Sequence, residues 1–388
     1  MKHRTRNLAL VAVCALLAGC ASNGKPSAEP SATPHGYVEG AEESAEPQWR
    51  LVLADGSGKL WLLNPVTEKP AELATVDGLA GMATDGRYVF AESESTVNII
   101  DSGVWTVPHG DHRHYYHAEP KDVGEFDAGS GLTVVGDPVV SILNSAEGVT
   151  VLDRAALDEG EVKQRTELSA AAALPYAEKL LAAGKDGTVE VLDRDGERQS
   201  TLDEPCRNPR TPAVTTHGGV FGCEDGALLI TETDGKLKSE KVDYPDGVRG
   251  DITGGFDHRP GAPLLAAKTE AGDGIVLDVK KRKWSVLDTT GAVAVSALGE
   301  DFPVLALTED GKLRAFDPGT GEQTASNTIM EPVAGGEAVP VIQADSERAY
   351  VNDPADSAVH EIDYQDKLRV ARSFDLDAAP AHLVETGW

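Results

Sequence analysis

The chain has 388 residues, with 64 aspartates and glutamates against 35 lysines and arginines, and a formal net charge of −29. So acidic a surface repels polyanions, which argues against nucleic acid and phosphorylated substrates and is permissive for divalent cations.

In chain order, Lys2, Arg4 and Arg6 precede an apolar run from Leu8 to Ala18, too short to span a bilayer. Leu17-Ala18-Gly19-Cys20 follows, small residues before a cysteine, similar to bacterial lipoprotein signals. Residues 1–19 are therefore expected to be a signal peptide. Cys20 becomes the lipidated first residue of the mature chain, anchored to a membrane surface in the cell envelope without a spanning helix. Residues 20–48 are rich in Ala, Ser, Pro, Gly and Glu and lack apolar periodicity. Such a composition reads as a disordered acidic tether; it also carries the lone His35.

The remainder, 49–388, is expected to be a single all-β domain, a β-propeller. A unit recurs: an apolar strand, a turn rich in Asp and Gly, and a second strand. It is clearest at Leu180–Ala183, Lys185-Asp186-Gly187 and Thr188–Asp193, and again at Val304–Leu307, Glu309-Asp310-Gly311 and Lys312–Asp317. Asp-Gly turns supply the positive φ of a tight hairpin. The second strands end near 64, 101, 153, 193, 232, 278, 317 and 363, a spacing of about 43 residues, that of a four-stranded blade. The count favours eight blades over seven. Pro380–Val384 reads as an inner strand that completes the first blade and closes the ring, removing its open edges. A parallel β-helix is the alternative fold.

Cys206 and Cys223 are the pair left in this domain, and outside the cytoplasm they are expected to form a disulfide. A Cys/His metal site with His217 is the alternative.

The interval from 101 to 153 is the longest in the series and contains Pro108-His109-Gly110-Asp111-His112-Arg113-His114-Tyr115-Tyr116-His117, four of the ten histidines within nine residues. Zinc takes three or four N, S or O ligands in a tetrahedron. His112 and His114, two apart, project to one side of an extended backbone. His109 and Asp111 precede them across Gly110, and Asp111 serves as ligand or as an acceptor that fixes an imidazole tautomer. His117 falls on the other strand face and is the weaker candidate. His217, His258 and His382, near ends of inner strands, are candidates to complete the site. Asp137 occupies a similar place, and His360 reads as structural. Imidazole also accepts copper and nickel.

The run His109-Gly110-Asp111-His112-x-His114-Tyr115-Tyr116 on an exported propeller resembles the AztD family of zinc metallochaperones. The resemblance implies an extracytoplasmic propeller, not an enzyme, that binds Zn²⁺ at His109, Asp111, His112 and His114. It would pass the metal to the solute-binding protein of a zinc ABC importer, acting as a monomer. Arg113 stands where that resemblance leads one to expect a bulky aromatic. Two rival functions are a non-catalytic scaffold lipoprotein of the envelope and a metal-dependent hydrolase. The hydrolase lacks paired carboxylates or a nucleophile motif near the histidines.

Overall fold

The computed structural model describes residues 38 and 40–388, apart from 110, 111, 247, 249–251, 334, 336 and 337. The expected signal peptide, Cys20, His35 and Asp111 lie outside the described residues. Among the described residues one short helix, Arg154–Glu159, interrupts an otherwise β-rich chain. The first strands are β1 (Glu42–Ser44), β2 (Arg50–Ala54), β3 (Lys59–Asn64) and β4 (Lys69–Thr75). β5 (Gly81–Thr84), β6 (Tyr88–Glu92) and β7 (Thr96–Asp101) follow. Then come β8 (Val104–His109), β9 (His112–His117) and β10 (Lys121–Asp127).

The architecture is a β-propeller. Among the described residues there are eight four-stranded sheets. The first contains β2, β3, β4 and the C-terminal strand His382–Thr386; the second contains β5, β6, β7 and β10. The other six are each four consecutive strands, across 133–168, 172–201, 210–243, 252–286, 292–328 and 342–375. The first sheet spans the two ends of the domain: His382 pairs with Ala54 and Thr386 with Arg50, antiparallel.

The sequence makes these elements through its turns and its apolar runs. Asp55 Oδ1 accepts from the backbone N–H groups of Ser57 and Lys59 at 2.9 and 3.1 Å, and Asp186 Oδ1 from that of Thr188 at 3.0 Å. Each Asp thereby closes a hairpin on its own backbone. The second strand of each sheet counted from the centre is buried on both faces, Tyr88–Glu92 and Val304–Thr308 along their whole length, because each sheet is covered by a sheet on either side. Eight apolar clusters fill the gaps, each shared by two successive sheets. Tyr88, Phe90 and Ile99 of the second sheet meet Leu143 and Leu152 of the third. Leu51 and Leu53 of the first meet Tyr350 and Val359 of the last. The series of neighbours therefore returns to its start. The inner strands surround a cavity of about 280 Å³ lined in part by Thr84, Ser296, Gln343 and Glu385.

Cys206 and Cys223 are joined by a disulfide, both buried, as their spacing and the expected compartment imply. The tether expected over 20–48 ends sooner than its composition suggests. Glu42–Ser44 is a strand, paired antiparallel to β9 from Glu42 with His117 to Ser44 with Tyr115. Backbone pairing to a distant segment holds it in place, without any apolar pattern of its own.

Candidate metal site

The histidine segment is a hairpin inserted into the second sheet. β7 ends at Asp101, and β10 resumes by pairing Lys121 with that same Asp101. The chain thus leaves the sheet after Asp101 and returns to it opposite that same residue, with a bulge between Asp122 and Gly124 just after the return. At the base Gly103 has φ +75°, and a Cβ there would lie 2.3 Å from the Ala118 carbonyl oxygen. Only glycine fits where the two strands cross so closely. Gly103 O accepts from Ala118 N–H at 2.7 Å and closes the base.

Aromatic stacking seats the hairpin on the ring. Trp105 of β8 pairs directly with Tyr116 of β9, and their rings stack with centroids 5.3 Å apart. The Arg87 guanidinium, on the β5–β6 turn, lies 3.8 Å from the centroid of Trp105. Arg87 is itself held by two hydrogen bonds to Asp101, 3.1 and 2.7 Å, and by an ion pair to Asp158 at 3.0 Å. On the same strand as Trp105, Thr106 Oγ1 donates to Gly387 O at 2.7 Å. The C-terminus and the second sheet together fix the hairpin's base.

Further out on the same strand face as Tyr116 stand His114 and His112. Their rings meet edge to face, with the two Nε2 atoms 3.1 Å apart. Two ligand nitrogens on a tetrahedral zinc ion, each ~2.05 Å from the metal, stand ~3.3 Å apart. The observed separation is close to one edge of that tetrahedron. His114 is buried and His112 exposed. His114 Nδ1 lies 2.6 Å from Glu43 Oε1. An ionised carboxylate only accepts, so the ring proton sits on Nδ1 and the lone pair of the neutral imidazole on Nε2, turned towards His112. A carboxylate behind a ligating imidazole orients the ring and raises its basicity. The two facing nitrogens match one edge of a zinc site's donor set, two of the three or four ligands it takes. Among the described residues there is no group of three ligating side chains suited to hold a metal. The backbone of His109 pairs with that of His112; its side chain, like Asp111, is outside the described residues.

The ring beneath this hairpin has solved counterparts. The crystal structure of AztD from Citrobacter koseri matches with a TM-score of 0.73 at 21% identity, over 88% of this chain and 98% of that one. Apo AztD from the same organism matches with 0.72 at 19%. This chain has the AztD fold. Dihydro-heme d1 dehydrogenase NirN in complex with DHE is similar over 89% of this chain and 76% of that one, with a TM-score of 0.58 at 16% identity. No protein-family model and no curated protein matches the sequence.

On this AztD-like ring His117, His217, His258, His360 and His382 lie apart from the face that carries His112 and His114. His117, on the opposite face of β9, is held by β1: Ser44 Oγ is 3.1 Å from its Nδ1 and Glu42 Oε2 is 3.3 Å from its Nε2. With Nε2–H donating to the carboxylate and Nδ1 accepting from the hydroxyl, both ring nitrogens are engaged. His217 sits in the turn before Gly218–Cys223, with Nδ1 3.0 Å from Thr216 Oγ1. His258 lines the central cavity, and burial lowers its pKa to about 4. His382 opens the C-terminal strand beside the β2–β3 turn, at the rim opposite the one from which the hairpin leaves. His360 bridges Ser373 and Asp353 at 2.8 and 3.2 Å, a structural role. Asp137 caps its own turn, accepting from Val139 and Val140. Sequence reasoning missed Glu43, Arg87 and Trp105. A cross-strand register would have been needed to find them.

Proposed function

We propose that the protein is an extracytoplasmic zinc carrier without catalytic activity. It captures Zn²⁺ on the β8–β9 hairpin and passes it to the solute-binding protein of a zinc ABC importer. The observation that carries the proposal is the facing pair of His112 and His114 Nε2 atoms, 3.1 Å apart, with Glu43 behind His114. His109 and Asp111 are the candidates for the remaining positions. Support comes from the AztD fold and from the Cys206–Cys223 disulfide, which suits an oxidising compartment. Among the described residues no helix is long and apolar enough to cross a membrane. Lipidated Cys20 would hold the carrier near a membrane-bound importer.

His114 is buried and His112 lies at the exposed end of the hairpin. Exchange therefore begins at His112, where an incoming ligand from the acceptor reaches the metal while His114 still holds it. Because the ligands must be deprotonated, loading releases protons.

The test is zinc titration of the mature chain in a competing chelator, beside the double variant His112→Ala/His114→Ala. Stoichiometric binding lost in the variant, followed by transfer to a zinc-importer binding protein, is the expected result. Binding no tighter than that of an unrelated acidic protein would refute it.

A further inference from the structure

β1 is an unusual element. It is three residues long, its partner in the sheet is β9, and it lies on the outer edge of the order β1-β9-β8. Glu42 and Glu43 are exposed, with side-chain exposures of 84% and 43%. Short edge strands with charged, solvated side chains are held by few interactions. Yet these three residues supply Glu43 to His114 and both Glu42 and Ser44 to His117. The chain just before them is the segment rich in Ala, Ser, Pro, Gly and Glu. The group that orients a candidate metal ligand is thus carried by a three-residue edge strand, and is not built into the ring.

We propose that Glu43 is a positioning residue for the metal site and that β1 is a strap which delivers or withdraws it. With β1 on β9, the Glu43 carboxylate accepts from His114 Nδ1 and keeps Nε2 aimed at the metal. When β1 lifts, His114 loses that acceptor, its ring is less firmly oriented, and the metal is held by a weaker, less ordered pair. Grip on the metal is therefore set by a strand-pairing equilibrium outside the ring, and anything that pulls on residues before 42 or competes for the edge of β9 shifts it. The proposal deepens the carrier function and rests on it.

The experiment uses the mature chain and Zn²⁺ alone, with release followed into an excess of chelator. Glu43→Ala should raise the zinc dissociation constant by about 10–100-fold, as removing such outer partners does elsewhere. Glu43→Gln, whose carbonyl still accepts from Nδ1–H, should restore most of the loss; a merely structural contact would not discriminate between the two. Ser44→Cys/Tyr115→Cys joins a directly opposed pair at a spacing that suits a disulfide. Oxidised, it should slow zinc release and slow amide exchange along β9 in metal-free protein; reduction should restore both rates, with the buried Cys206–Cys223 bridge checked to remain intact. Equal release rates in the oxidised, reduced and Glu43→Ala forms, with tight binding retained, would overturn the strap while leaving the carrier intact. Failure of the parent chain to bind zinc would overturn both.

Discussion

Trp105→Ala is the perturbation that most directly tests how the ring holds the hairpin. Trp105 is buried, stacked on Tyr116 and capped by Arg87 at 3.8 Å. The aromatic pair is worth about 0.5–1.5 kcal/mol beyond its buried area, and a desolvated guanidinium over the indole about 1–2 kcal/mol. Added to the lost apolar burial, truncation falls near the lower end of the range for buried Trp→Ala, about 3 kcal/mol. The loss lands on the hairpin's seat, because the second sheet pairs Asp101 with Lys121 whether or not the hairpin is docked. About 3 kcal/mol is roughly two orders of magnitude in an equilibrium constant. Apparent zinc affinity, which scales with the fraction of hairpin in the competent state, should fall by up to about 100-fold. The assay pairs zinc titration with amide exchange in β9 and a thermal melt of the ring. Trp105→Phe keeps a stack and should retain most of the affinity. If Trp105→Ala bound zinc within about threefold of the parent and β9 exchanged no faster, the seat would not govern the site.

Replacing 103–119 by a short turn should abolish zinc binding and leave the ring's denaturant midpoint within the change expected for a surface loop, measured by urea unfolding. Cys206→Ala/Cys223→Ala opens a loop with a sequence separation of 17 and should lower ring stability by about 3 kcal/mol, matched by reductant on the parent. Glu385 is buried against Asp345 across the ring junction, and burial first, then that neighbouring charge, raise its pKa well above 4.5. The folded state therefore holds a proton that the unfolded state releases. Stability is fully present below pH 4.5 and falls as pH rises through the folded value, by ~1.4 kcal/mol per unit. Glu385→Gln should flatten that slope and raise the melting temperature at neutral pH; an unchanged slope would refute the assignment.

The ring is legible in the sequence because its signals are local. Asp186-Gly187 and Asp310-Gly311 mark turns at a regular spacing, and runs such as Leu180–Ala183 admit no helical period. The long interval between 101 and 153 marks the insertion, and the alternation of His112 and His114 shows that they share a face. What stayed hidden is non-local. Glu43 reaches a histidine 71 residues away from a strand too short to carry a pattern, so its composition reads as tether. Arg87 lies in a Thr-Asp-Gly turn and gains its role only once β8 folds over it. His382 sits near the end of an inner strand, as the sequence implies, but whether it shares the hairpin's rim depends on the direction in which that strand completes the first sheet.

That completion makes the folding of the domain non-local from the outset. The first sheet waits for 382–386, and the hairpin's base waits for Gly387, whose carbonyl takes the Thr106 hydroxyl, and for Trp388, whose indole covers Gly86 at 2.8 Å from where a Cβ would stand. These residues lie downstream of every other strand of the ring. Until they are in place the chain has neither a completed first sheet nor a seated hairpin, so the earliest and latest parts of the domain must fold together.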